Sequence, residues 1–276
     1  MARNWMRSRR AAVVDTLAPP IAERVYRTAD AIARRPWRDE LTALPAPVDV
    51  DGRVVDVVDD LVAYTQLPRD TVTDLSMRRR PIDFRSEWFS TPQALRSDHW
   101  FYLGAKSYLF GNAVHFSTAE VVERYITPNI ARGGAVLDFG AGVGTLAIMA
   151  AAAGFEAVVT ELNALQRDFI RFRISHNGLE DRVQVLDPWE DIPRERFDAV
   201  IAIDVLEHLP DGQRLVDDQL LPSLRERALI VENTRFVVNA SNPMHHLDWG
   251  LDPQLEEAGF GRIMRAEDGT RVWRRG

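Results

Sequence analysis

The chain has 276 residues, a net charge of −7, 46% hydrophobic and 27% charged side chains, and no cysteine. That length suits one large domain, or a domain of about 160 residues with a substantial cap, and the composition is that of a globular protein. The lack of cysteine excludes disulfides, thiolate metal sites and a cysteine nucleophile, and the six histidines fall at no metal-cage spacing.

At the start, Arg7 to Arg10 precede four apolar residues that end at Asp15. This is too short for a signal peptide, so a cytoplasmic chain is expected. No apolar run approaches the about 20 residues of a membrane span. An amphipathic helix is predicted over Arg10–Arg34, interrupted by Pro19 and Pro20, with proline-marked loops at Pro36 and at Pro45 and Pro47. Further helices are predicted over Val54–Thr65, from Pro68 with proline in the first turn, and from Thr91 to about Val114. The last of these carries an aromatic stretch in which Tyr102, Lys106 and Phe110 share one face and Phe101 and Tyr108 another. Such a stripe reads equally as packing or as a pocket wall. Ser117-Thr118-Ala119-Glu120 is a capping box for a helix into Ile126.

From Ala135 the pattern alternates strand and helix. Strands are predicted at Ala135–Asp138, Ala157–Glu161, Val183–Leu186, Phe197–Asp204 and Ala228–Glu232. Helices follow the glycines after Asp138 and cover Asn163–His176, Gly212–Leu224 and Leu251–Gly259, and a final hairpin turns at Asp268-Gly269. Near-continuous apolar strands between helices make a parallel sheet covered on both faces, which binds ligands at the strands' carboxyl ends. Acids stand at four such ends: Asp138, Glu161, Asp187 and Asp204. An ionised group there is costly without a partner. Gly140, Gly142 and Gly144 let the main chain pass close to a ligand. The dinucleotide fingerprint needs a glycine where Thr145 stands, so the spacing favours a nucleoside with a small charged tail over a pyrophosphate.

Asp138-Phe139-Gly140-Ala141-Gly142-Val143-Gly144 resembles motif I of the class I S-adenosylmethionine-dependent methyltransferases. The resemblance covers about Ser117 to Arg275. It implies an α/β, Rossmann-like seven-stranded sheet, mostly parallel with a C-terminal antiparallel hairpin, over residues 117–276. A mainly helical N-terminal cap would occupy residues 1–116. In that family Glu161 would take the ribose hydroxyls, with Leu162 beside it, unless it merely caps the helix at Asn163. Asp187 would meet the adenine amino group, and Trp189 would stack on the ring or roof the loop. Asp138 would orient the glycine turn or meet the methionine ammonium through water. Asp204-Val205-Leu206-Glu207-His208-Leu209 resembles the motif IV of quinone-biosynthesis and natural-product methyltransferases, which puts Asp204 in the cofactor set. His208 would stand where the methyl group is delivered, as a general base or as an anchor of the turn. After the fifth strand, His245 and His246 fall where this fold closes over its substrate, and successive side chains diverge, so at most one faces the site. Tyr102 and Tyr108 are the candidate pocket wall, and Arg78-Arg79-Arg80 is a solvated helix end or a carboxylate contact.

The resemblance implies an enzyme that moves a methyl group from S-adenosyl-L-methionine to O, N or C of a small molecule, leaving S-adenosyl-L-homocysteine. No metal is expected. Non-methylating use of the same cofactor, by cyclisation or aminocarboxypropyl transfer, is the alternative. A nucleic-acid acceptor fits less well. Residues 1–116 carry 17 basic and 15 acidic side chains, whereas residues 117–276 carry 17 and 26, and a nucleic-acid binder presents a basic face. The expected partner is thus a small-molecule acceptor, with no nucleic acid and no membrane. A homodimer is left open.

Overall fold

The computed structural model of the protein describes residues 46–77, 84–92, 99–114, 121–236, 238 and 245–276. The helix expected over 10–34, the arginines 78–80 and the capping box at 117–120 lie outside them.

The cap opens with a hairpin, β1 (Val48–Val50) and β2 (Arg53–Val55), where a helix from Val54 was expected. Asp51 and Gly52 both take positive φ, 52° and 81°, which is the two-residue turn that matches strand twist. Helix α1 (Val57–Thr65) starts only after Asp56, whose carboxylate caps the Val58 and Asp59 N–H groups. Helix α2 (Arg69–Ser76) follows Pro68, then α3 (Phe84–Ser90), α4 (His99–Gly104) and α5 (Ser107–Gly111), which ends in a 3₁₀ turn at Asn112–Val114. The single helix expected over 91–114 is therefore broken after Gly104. Glu87 causes the break from a distance. Its two carboxylate oxygens accept the Lys106 and Ser107 N–H groups, each at 2.8 Å, and start α5 as a separate helix.

After a π-helical turn (Val122–Ile126) come the strands β3 (Ala135–Phe139), β4 (Glu156–Thr160), β5 (Val183–Val185), β6 (Phe197–Ala202) and β7 (Leu224–Glu232), with a loop and no helix between β5 and β6. Between them lie α6 (Thr145–Ala152), α7 (Ala164–Asn177) and α8 (Gly212–Leu215), the last running on through a π turn (Val216–Leu220). Helix α9 (Leu251–Glu257) precedes the closing hairpin, β8 (Phe260–Arg265) and β9 (Arg271–Arg275). The strand order is β5-β4-β3-β6-β7-β9-β8, parallel except that β9 runs antiparallel to both its neighbours. This is the Rossmann-like seven-stranded sheet that the sequence implied. Successive strand residues enter opposite cores, Val136 and Val159 on one face, Leu137 and Val158 on the other. Strand order reverses between β3 and β6, and the carboxyl ends of those strands are where sheets of this kind form their ligand crevice.

One buried ion pair ties the cap to this crevice. Asp60 on α1 accepts from Arg173 Nε on α7 at 2.8 Å and from Asn177 Nδ2 at 2.9 Å. Arg173 Nη1 in turn donates to the Val143 carbonyl of the glycine turn at 2.6 Å and to the Thr145 hydroxyl at 3.1 Å. A fully hydrogen-bonded pair of this kind fixes one arrangement of α1, α7 and the turn, because leaving either charge alone in the core is costly.

Candidate functional site

The crevice begins at Asp138, the fourth residue of β3, which is buried between the sheet's two faces. Its Oδ2 accepts the Ala147 N–H in the first turn of α6 at 3.2 Å. Burial pushes this carboxyl up to about 7, with the nearby Glu161 adding to the effect and the Ala147 bond opposing it. The three glycines that follow all take positive φ. At Gly140 a Cβ would lie 2.5 Å from Val205 Cγ2, and at Gly142 a Cβ would lie 2.9 Å from Asn112 Nδ2. The turn is thus pressed between the loop after β6 and the end of the cap. Gly144 stands at the N-cap of α6.

Glu161 follows β4 directly and is buried. Its Oε2 accepts the Gly142 N–H and its Oε1 the Asn163 N–H, both at 2.8 Å. Burial raises this carboxyl, and those main-chain bonds and Arg167 oppose the shift. Arg167 itself donates to the main-chain oxygens of Glu161 (2.9 Å) and Leu162 (2.6 Å).

Asn163 joins three parts of the site and was not singled out from the sequence. Its N–H holds Glu161, its Oδ1 caps α7 through the Gln166 N–H at 3.0 Å, and its Nδ2 donates to the Tyr102 and Ala105 carbonyls, each at 2.7 Å. Gln166 Nε2 adds a bond to the Tyr108 carbonyl at 3.2 Å. Helices α4 and α5 are thereby clamped beside the strand-end acid. Their rings Phe101, Tyr102 and Tyr108 and that of Trp88 on α3 pack edge-on, with Trp88, Tyr102 and Tyr108 each 4.9–6.2 Å from Phe101 between centroids. The Tyr102 hydroxyl emerges from this packing to lie 2.7 Å from His208 Nδ1. Burial, then Tyr108, pushes its ionisation well above the usual phenol range. Tyr102 therefore stays neutral.

Past β6 the chain turns at Asp204, a non-glycine residue at φ 52°, whose N–H donates to Asn233 Oδ1 at 2.6 Å. A 3₁₀ turn (Leu206–His208) then buries Glu207 and aims His208 toward the cap. Glu207 Oε1 accepts the Arg235 N–H at 3.2 Å, while Oε2 is buried without a hydrogen-bond partner among the described residues. Burial, then the Asp204 charge, pushes this carboxyl up to about 8. The two adjacent histidines diverge. His245 sits edge-on to His208 with ring centroids 4.5 Å apart, and its Nδ1 lies 2.8 Å from the Arg235 carbonyl. Burial lowers its basicity. His246 is tied through its N–H to the Glu207 carbonyl at 2.7 Å, and it lines a surface groove with Pro210, Asp211 and Trp249.

Asp187 lies on an exposed loop after β5, where its Oδ1 accepts the Trp189 N–H at 3.0 Å. Trp189 is 63% exposed. The structure thus gathers Asp138, the glycine turn, Glu161 and Leu162 at one end of the crevice, and Tyr102, Asp204, His208 and His245 at the other. Tyr108 backs Tyr102, whereas Asp187, Trp189 and His246 are peripheral.

The donor set at the first end suits an adenosyl amino acid. A ribose diol needs acceptor oxygens, and each Glu161 oxygen retains a lone pair beyond its main-chain bond. An ammonium suits a carboxylate, and Asp138 lies at the start of the glycine turn with its Oδ2 on the Ala147 N–H. A diphosphate would need free N–H groups at the turn, but those of Gly140, Gly142 and Gly144 go to the Thr160 carbonyl, Glu161 Oε2 and the Ala141 carbonyl.

A family model described as a methyltransferase domain matches residues 116–264, more than half of the chain. The ribosomal protein L11 methyltransferase of Pseudomonas paraeruginosa is 39% identical over 158 residues, 56% of this chain and 52% of that protein. The chain thus spans about half the length of that curated relative. Among solved structures, a SAM-dependent methyltransferase from Aquifex aeolicus aligns with 56% of this chain and 92% of its own, at 17% identity and a TM-score of 0.43. The [4+2]-cyclase SpnF aligns with 80% of this chain and 77% of its own, at 18% identity and a TM-score of 0.46.

Proposed function

Since the chain belongs to the S-adenosylmethionine-dependent methyltransferase family, we propose that it methylates a small molecule held between the cofactor crevice and the N-terminal cap. The observation that carries this reading is the Tyr102–His208 hydrogen bond of 2.7 Å, which brings a cap helix down onto the turn after β6. An acceptor that reaches His208 must fit under α4 and α5, which suits a small molecule better than a folded macromolecule.

S-adenosylmethionine supplies an electrophilic methyl group on a sulfonium. The chain's own residues place it. Glu161 and Asp138 would hold the ribose and the amino-acid tail, and the glycine turn would lie against the tail with no side chain between. The acceptor's attacking atom is assigned to the side of His208 and His245. His245 Nδ1 faces a carbonyl, which only accepts, so Nδ1 carries the proton and Nε2 keeps its lone pair. The rings Trp88, Phe101 and Tyr108 behind Tyr102 keep water away. Alignment of an attacking atom with a methyl group is worth about 7–11 kcal/mol, so little acid–base help is needed for a reactive acceptor.

The test uses cofactor labelled in the methyl group, incubated with the full chain and a cell extract split by dialysis. Label entering the dialysable fraction supports the proposal. Label entering protein instead, as the name of the Pseudomonas relative states for that enzyme, or entering RNA, overturns it. Consumption of the cofactor with no acceptor present would point to non-methylating chemistry and also overturn it.

A further inference from the structure

We infer that Asn112, at the end of the cap, binds the amino-acid tail of the cofactor, so that the cap completes the cofactor site as well as covering the acceptor. The residue lies outside the span 116–264 that matches the methyltransferase domain, and the family assignment gives it no role. The inference rests on the placement of the tail against the glycine turn.

A Cβ on Gly142 would lie 2.9 Å from Asn112 Nδ2, 3.4 Å from its Cβ and 3.5 Å from its Cγ. The Asn112 side chain thus lies along the open side of this glycine, where a larger residue would displace it. Its neighbours hold it there. Leu109 and Ala113 are buried in one cluster with Val143 of the turn, Phe169 of α7 and Val58 and Leu61 of α1. The Asn112 N–H closes the end of α5 on the Tyr108 and Phe110 carbonyls. Its side chain, by contrast, is half-buried and makes no hydrogen bond among the described residues. Packing and helix termination account for Leu109, Ala113 and the Asn112 main chain, and they leave the amide unused.

An amino-acid tail brings a carboxylate, which needs donors, and an ammonium, which needs acceptors. The turn has few donors to offer. The N–H groups of Gly140 and Ala141 go to the Thr160 carbonyl, that of Gly142 to Glu161 and that of Gly144 to the Ala141 carbonyl. The Arg173 guanidinium is held by Asp60, the Val143 carbonyl and the Thr145 hydroxyl. Asn112 Nδ2 is an unspent donor at the same turn, and its hydrogens suit the carboxylate, while Asp138 suits the ammonium. The helix that presents Asn112 is itself set by the start of α7, where Asn163 and Gln166 hold the Ala105 and Tyr108 carbonyls. The segment that follows the ribose acid therefore also positions the tail's donor.

Calorimetry on the full chain with two nucleosides tests this. S-adenosylhomocysteine carries the tail, whereas methylthioadenosine keeps the adenosine and the sulfur but lacks it. Asn112→Ala should weaken S-adenosylhomocysteine by about 10- to 100-fold, the range for a lost hydrogen bond to a charged group, and leave methylthioadenosine within about twofold. Asn112→Leu, close in size, should do the same without opening a gap beneath the cap. Thermal melting of the unliganded variants checks that each folds like the wild type. A parallel loss for both nucleosides, or unchanged S-adenosylhomocysteine affinity in a folded variant, overturns the role of Asn112 and leaves the cofactor crevice standing. A wild type that binds both nucleosides equally overturns it as well. A wild type that binds neither overturns the placement of the cofactor itself.

Discussion

Glu161 offers the most direct residue-level test of cofactor placement, because both its oxygens already hold the turn and helix that would surround a ribose. Glu161→Ala should weaken S-adenosylhomocysteine binding by about 1–3 kcal/mol, the cost of leaving buried polar partners unmatched. Calorimetry checks this, and unchanged affinity would contradict the role. Asp138 gives a pH signature. Its carboxyl titrates near 3.8 in the unfolded chain and at about 7 in the fold, so the native state holds the extra proton between those values. Its contribution therefore favours folding at low pH and is lost as pH rises from about 4 to about 7. Relative to the wild type, Asp138→Asn should flatten the fall in urea-melt stability across that window. An identical pH profile would contradict the assignment. Asp138, Glu161 and His208 could be read from the sequence because each adjoins a local pattern, an apolar run or a glycine series. Glu207 stood in the same motif as His208, and Asn163 at the start of a predicted helix, but neither was given a site role, since what distinguishes them is a partner distant in the chain.

At the scale of elements, the cap is held by long-range polar bonds, and these can be cut singly. Asp60→Ala strands the Arg173 guanidinium in the core and should cost about 3–5 kcal/mol in a denaturant melt. A loss below about 1 kcal/mol would show the pair to be dispensable, as exposed pairs are. Asn163→Ala should act on function more than on the sheet. It frees the Tyr102 and Ala105 carbonyls, so amide exchange in α4 and α5 should rise while β3 to β7 stay protected. Equal protection in both proteins would contradict the clamp. The sheet was legible because buried parallel strands write themselves as apolar runs, and Asn177-Gly178 marked the end of α7 through the left-handed Gly178. The hairpin β1–β2 was also signalled, by Asp51-Gly52, but its three-residue strands are shorter than the alternation needed to see them. The break between α4 and α5 left no local trace, because Glu87 makes it from about twenty residues away.

Over the whole molecule, the acidic balance of residues 117–276 and the cap's position predict how acceptors are sorted. RNA should bind without the steep salt dependence of a phosphate-gripping protein. A filter-binding slope of several counterions would contradict this. Among the described residues no helix is long and apolar enough to cross a membrane. Cap and sheet meet in a crevice with acids for a nucleoside at one end and a histidine–glutamate cluster at the other, and the account stands on that division. A crystal structure of the full chain with S-adenosylhomocysteine tests it most directly. The account predicts adenosine against Glu161, the amino-acid tail beside Asp138 and the glycine turn, and the sulfur facing Tyr102, His208 and His245. A nucleoside bound elsewhere, or a sulfur turned away from His208, would contradict it.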